Sequence, residues 1–123
     1  MKRVERVTAH HKRLVVNIAL NYGGRNELVN AVQAIATKVS EGKMSVPEIN
    51  EETITSHLYT SHMPDPDLVI RTSSEMRLSN FMLWQVAYSE FYFTHTLWPD
   101  FGEKDLLLAI YEFQKRNRRY GGR

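Results

Sequence analysis

Leu68-Val69-Ile70-Arg71-Thr72-Ser73-Ser74-Glu75-Met76-Arg77-Leu78-Ser79 is the stretch on which the fold turns. Its first three residues are apolar and two of them are β-branched, which suits a short strand buried on both faces. Arg71 to Arg77 is polar and irregular, so the strand runs out into a loop. Ser79 is a residue type favoured at helix N-caps, and Phe81, Trp84 and Tyr88 follow it at helical spacing. The stretch therefore predicts strand, loop, helix. Upstream, Met63-Pro64-Asp65-Pro66-Asp67 reads as a loop, because its prolines lack N–H donors and restrict their neighbours.

The same alternation extends in both directions. Leu14-Val15-Val16-Asn17-Ile18-Ala19-Leu20 is a nearly continuous apolar run, expected as another buried strand and broken by Asn21-Tyr22-Gly23-Gly24. Residues 1–12 are charged and free of Gly and Pro, and suit a helix. Leu28, Val29, Val32, Ile35, Ala36 and Val39 share one helical face, and Gly42 is a stop signal. Ser45 with Glu48 has capping-box spacing, and Asn50 offers a helix start over about 51–60. Phe91-Tyr92-Phe93 is a third strand. After Trp98-Pro99, Asp100 and Glu103 again have capping-box spacing, before a helix with Leu106, Leu107, Ile110 and Phe113 inward that ends at Gly121-Gly122. Strands alternating with helices predict an α/β fold, a parallel sheet flanked by helices and joined by right-handed crossovers.

The chain has 123 residues, which is one domain at roughly 150 residues per domain. It is 42% apolar and 24% charged, in the range of folded globular chains. It has no cysteine, which excludes disulfides, thiolate metal sites and cysteine nucleophiles, and fits a reducing compartment. No apolar run approaches the ~18 residues of a membrane span, and the basic start leads into no signal segment. The net charge of +2 permits an anionic ligand without demanding nucleic acid. Basic residues gather at the two ends, Lys2 to Arg13 and Lys115 to Arg123.

In a parallel sheet, ligands bind beyond the carboxyl ends of the strands. Two loops qualify, Asn21 to Asn26 and Arg71 to Ser79. Arg71, Arg77 and the start of the Ser79 helix could converge on one anion, because guanidinium forks and free helix N–H groups both suit phosphate oxygens. The plainer reading is that Ser79 only caps its helix and the arginines are solvated or paired with Glu75. Gly23-Gly24 lies in neither a G-x-G-x-x-G nor a Walker pattern. The five histidines show no metal-ligand spacing, and no G-x-S-x-G elbow marks a serine nucleophile. Trp84, Tyr88, Phe91 and Phe93 read as packed core. Arg116, Arg118 and Arg119 suit the C-terminal end of a helix.

Pro66 to Gln85, read as Pro-Asp-Leu-Val-Ile-Arg-Thr-Ser-Ser-Glu-Met-Arg-Leu-Ser-Asn-Phe-Met-Leu-Trp-Gln, closely resembles the signature of the cis-prenyltransferases, the undecaprenyl diphosphate synthase family. Asn17 to Arg25, Tyr88 to Phe93, Leu97 to Phe101 and Arg118 to Gly122 agree in order. The likeness covers nearly the whole chain but only the C-terminal half of the family's domain. It implies an α/β parallel-sheet fold, and condensation of isopentenyl diphosphate onto an allylic diphosphate with Mg²⁺. By position, Arg71, Arg77, Leu78 and Ser79 match residues that hold isopentenyl diphosphate, and Glu90 matches a Mg²⁺ carboxylate. Asn21, Gly23, Gly24 and Arg25 match a turn near the pocket. Arg119 and Gly121 match a C-terminal R-x-G element that reaches a neighbouring subunit's site.

Two departures follow. The family's Asp-Gly-Asn-x-Arg and Phe-Ser-x-Glu-Asn segments do not occur in residues 1–123. Ser74 stands where the family normally has glycine, and serine there costs on the order of 1 kcal/mol if φ is positive. The resemblance implies a single, partial domain in a homodimer or joined to a complementary half. It also implies a cytoplasmic setting, peripheral membrane contact through a lipid product, and no nucleic acid. The alternative is a non-catalytic partner subunit lending Arg119 and Gly121 to a complete synthase.

Overall fold

In the computed structural model, which describes residues 2–116, two short strands pair in parallel. Strand β1 is Leu68–Arg71 and β2 is Glu90–Phe93, with Leu68 opposite Glu90 and Arg71 opposite Phe93. Helices α1 (Lys2–Thr8), α2 (Gly24–Ser40) and α3 (Glu51–Thr55) precede the sheet, and α4 (Glu103–Gln114) follows it. The fold is α/β, as the alternation predicts. No helix of the described residues is long and apolar enough to cross a membrane.

Local signals set most element ends. Gly42, at φ 68°, closes α2: its N–H donates to the Val39 carbonyl and that of Lys43 to Lys38, satisfying carbonyls the helix leaves open. Ser45 and Glu48 do form a capping box, on a 3₁₀ turn at Val46–Glu48, and those Ser45 bonds hold the Glu48 carboxyl below its ordinary pKa. Asn50 caps α3, which is shorter than expected, by accepting from Thr53 N at 2.9 Å. At α4 the cap is Gly102 rather than Asp100; its N–H donates to Asp105 at 3.0 Å. The end expected at Gly121-Gly122 lies outside the described residues.

Three expectations fail in whole or in part, because among the described residues no tertiary partner covers the faces concerned. Leu14 to Leu20 forms no strand: none of its residues makes a backbone–backbone hydrogen bond among the described residues. Its Leu14, Val15, Val16, Ile18 and Leu20 are 64–76% exposed. On α2 Ile35 of the expected face is buried, together with Gly24, Glu27 and Ala31, whereas Val29 and Val32 of that face are exposed. On α4 only Ala109 is buried, and Leu106, Leu107 and Ile110 stay exposed. The chain exposes 10253 Å². A folded monomer of this mass exposes about 6,800 Å².

The fourth departure is local. Residues 79–88 form successive turns, not a helix. Ser79, Asn80 and Met82 have φ of 50°, 62° and 47°, outside the helical region.

Candidate functional site

Among the described residues, the non-glycine positions with positive φ are Asn21, Ser73, Ser74, Ser79, Asn80 and Met82. All lie in the two loops that the sequence singles out or in the turns directly after Ser79. Left-handed backbone costs roughly 1–2 kcal/mol per residue and concentrates at ligand-binding loops.

β1 delivers Arg71 to the carboxyl edge of the sheet, where Thr94 N–H donates to its carbonyl at 2.9 Å. Beyond it the chain reverses in a tight turn: Glu75 N–H donates to the Thr72 carbonyl at 3.3 Å, with Ser73 at φ 64° and Ser74 at φ 58°. Two left-handed central residues mark a type I′ turn, which glycine fills without strain. Ser74 thus does occupy a glycine-type conformation. Its Oγ lies 2.7 Å from Nδ1 of His95, and the N–H groups of Ser73 and Ser74 donate to the Thr96 and Thr94 carbonyls. The turn is bolted to the loop after β2, so these two amides are not free for a ligand.

A cleft of about 330 Å³ opens here, lined by Ile70, Arg71, Thr72, Ser73, Glu75, Trp98 and Phe101. The half-buried Arg71 donates from Nη2 to Ser79 Oγ at 3.2 Å. It has no carboxylate partner among the described residues. A guanidinium without a bonded carboxylate beside a hydroxyl has the donor chemistry that suits an anion. Arg77 is placed differently: it forms an ion pair with Glu75 and is 69% exposed. The plainer reading of the sequence therefore holds for Arg77, while Arg71 and Ser79 come together. A pair with one partner this exposed is worth about 0–1 kcal/mol. Leu78 is half-buried, its carbonyl accepting from Phe81 N–H at 3.1 Å.

Glu90, at the start of β2, is engaged by Arg116: Nη1 donates to Glu90 Oε2 and to the Phe91 carbonyl, both at 2.8 Å. No group of three or more His, Asp or Glu among the described residues is placed to hold a metal ion. A magnesium ion takes octahedral oxygen ligands, and one ion-paired carboxylate does not fit it. Arg119 and Gly121 lie outside the described residues.

Asn21 lies in the turn before α2 and Gly23 is the N-cap, while the buried Gly24 and Arg25 are the first two residues of the helix. The buried acid close by, Glu27, gave no signal in the sequence. It is 1% exposed and accepts from Tyr22 Oη at 2.5 Å, Tyr59 N–H at 2.8 Å and Gln85 Nε2 at 3.1 Å. Burial, reinforced by the Glu27 bond, pushes the Tyr22 phenol up to about 12. This network ties α2, the segment after α3 and the turns after Ser79 together. Beside it lies a second cleft of about 350 Å³, lined by Ile18, Leu20, Tyr22, Met63 and Phe81 among others. Trp84 is half-buried and donates to Thr55 Oγ1 at 3.1 Å, while Tyr88 is exposed.

The family model for undecaprenyl diphosphate synthase matches residues 1–121. An isoprenyl transferase of Heliobacterium mobile is 56% identical over 94% of this chain and 44% of its own length. That of Bacillus subtilis is 55% identical over the same shares. Among solved structures, lavandulyl diphosphate synthase from Lavandula x intermedia, in complex with dimethylallyl diphosphate, superposes with a TM-score of 0.92 at 43% identity. The match covers 98% of this chain and 52% of that one. A probable undecaprenyl diphosphate synthase from Campylobacter jejuni gives 0.78 at 40% identity, covering 98% and 53%. The chain spans about half the length of the relatives it matches.

Proposed function

Because this chain belongs to the undecaprenyl diphosphate synthase family, we propose that it supplies the isopentenyl diphosphate clamp of a cis-prenyltransferase. One observation carries the reading. Arg71, half-buried at the carboxyl end of β1, has no carboxylate partner among the described residues and donates to Ser79. In this role Arg71 and Ser79 bind the diphosphate oxygens. Arg77 leaves Glu75 to add a second guanidinium, and Leu78 backs the loop. The clamp anchors the isopentenyl unit by the diphosphate it keeps. The new C–C bond forms as the allylic C–O bond breaks and its diphosphate leaves, and the isopentenyl unit then gives up a proton to restore a double bond; positive groups stabilise the negative charge on the departing diphosphate. The apolar and aromatic second cleft supports a hydrocarbon chain lying on the face beside Tyr22.

The condensation itself belongs to the completed fold. The relatives' length and the exposed faces of Leu14 to Leu20 and α4 support assembly with a complementary half, in the same polypeptide or another. In that assembly Glu90 contributes at most one carboxylate toward Mg²⁺.

Titration calorimetry with isopentenyl diphosphate tests the clamp. Loss of a charge-assisted contact costs about 1.5–3 kcal/mol, so Arg71→Ala should weaken binding at least tenfold. Arg77→Ala should weaken it less, because its guanidinium is exposed and already paired. Equal affinity in wild type and Arg71→Ala would remove the assignment.

A further inference from the structure

We propose that Asn80 is a positioning residue that couples the start of α2 to the anion clamp. The inference rests on the clamp reading above. Helix α2 begins at Gly24 with Gly23 at its N-cap, and glycine has no side chain with which to cap. Two of the first-turn donors are satisfied from across the fold. Gly24 N–H donates to the Asn80 carbonyl at 2.7 Å, and Arg25 N–H donates to Asn80 Oδ1 at 2.9 Å. One residue, distant in sequence, caps the helix with both its main chain and its side chain.

The surroundings fit this role closely. A Cβ at Gly23 would stand 2.9 Å from Asn80 Nδ2. A Cβ at Gly24 would stand 3.0 Å from Leu83 Cγ, 3.1 Å from Leu83 N and 3.2 Å from the Asn80 carbonyl. The Gly23-Gly24 pair is thus explained by the close approach of Asn80 and Leu83, a reason that no nucleotide motif supplies. Asn80 itself sits at φ 62°, a conformation asparagine tolerates better than most residues.

The consequence runs through one peptide bond. Ser79, whose Oγ accepts from Arg71, directly precedes Asn80 and is itself left-handed at φ 50°. Anchoring Asn80 on α2 fixes where Ser79 Oγ can lie relative to Arg71. An anion that tightens Arg71 and Ser79 therefore also tightens the α2 cap. By linkage, an intact cap strengthens anion binding by the same factor. The two loops that follow the apolar runs act as one unit.

Amide hydrogen exchange, read with inorganic diphosphate as the probe, tests the coupling. In the wild-type chain, diphosphate should slow exchange at the Gly24 and Arg25 amides, and Arg71→Ala should abolish that effect. Asn80→Gly keeps the backbone conformation and carbonyl but removes Oδ1. It should bind diphosphate roughly 5- to 20-fold more weakly and lose the transmitted protection. Asn80→Asp keeps the acceptor and should keep basal protection at Arg25. A purely structural Asn80 would give no ligand-dependent protection at these amides, and the wild-type measurement needs no variant to fold. If Arg71→Ala abolishes diphosphate binding while exchange at Gly24 and Arg25 ignores the ligand, the clamp stands and the coupling is wrong. If wild type and Arg71→Ala bind diphosphate alike, the clamp reading fails and takes this inference with it.

Discussion

Ile18→Asp should be nearly silent in the isolated chain and destructive in the assembled fold. Ile18 is 64% exposed in a segment with no backbone ladder among the described residues. Full burial of an isoleucine is worth about 1.5–3 kcal/mol, so the exposed side chain contributes about a third of that, roughly 0.5–1 kcal/mol. A surface aspartate keeps its water and adds little cost. In an assembly that covers Leu14 to Leu20, the same change forfeits the full burial term and strands a charge in an apolar sheet, several kcal/mol in all. Circular dichroism melts of the isolated chain should therefore shift by no more than about 2–5 °C between wild type and Ile18→Asp. Sedimentation and hydrophobic-dye binding should show the variant self-associating less, because the exposed apolar run is interrupted. When the complementary half of the fold is supplied, wild type should associate with it and the variant should not. Unfolding of the isolated chain by Ile18→Asp would refute the reasoning, since it would mean that Ile18 is already buried.

Four further outcomes follow from backbone geometry and burial. Ser73→Gly should stabilise the chain by roughly 0.5–1 kcal/mol in denaturant titration, since glycine relieves φ 64° at some cost in unfolded-state entropy. Ser74→Gly should gain less, because it also gives up the contact with His95. Gly42→Ala should destabilise by about 1 kcal/mol, from its left-handed φ of 68° alone, because a Cβ there meets nothing within 4 Å. The Tyr22 phenol is raised to about 12 from an ordinary 10.0, so its contribution is complete below pH 10 and is lost as pH rises through 12. Wild type should lose stability relative to Tyr22→Phe across that window, and parallel curves would show that Tyr22 is not held by burial and Glu27.

What the residues settle alone is whatever needs only near neighbours. The capping pairs at Ser45 and Asn50 and the Gly42 stop act within a few residues, and the structure forms them as the spacing predicts. The β1 and β2 runs are legible because apolar, β-branched and aromatic residues bounded by turn formers have few other uses. Arg71 and Ser79 were legible as a pair because the strand-to-loop change put both at the ligand-binding end of the sheet.

Leu14 to Leu20 shows where that reasoning stops. Its composition states what environment it suits, but a strand exists only when another strand supplies the ladder, and none does so among the described residues. The turns after Ser79 have a helical residue pattern and a non-helical backbone. Asn80 is drawn onto the α2 N-terminus, and its left-handed φ is incompatible with a helix. Glu27 was hidden for the opposite reason: a carboxylate on a helix normally reads as solvated surface. It is buried only because Tyr22, Tyr59 and Gln85, separated from it by 5, 32 and 58 residues, bring their donors to one point. Local backbone preference thus settled the caps and the two paired strands. The position of every group satisfied by a distant partner was decided by the tertiary structure, because no short-range interaction encodes where that partner will be.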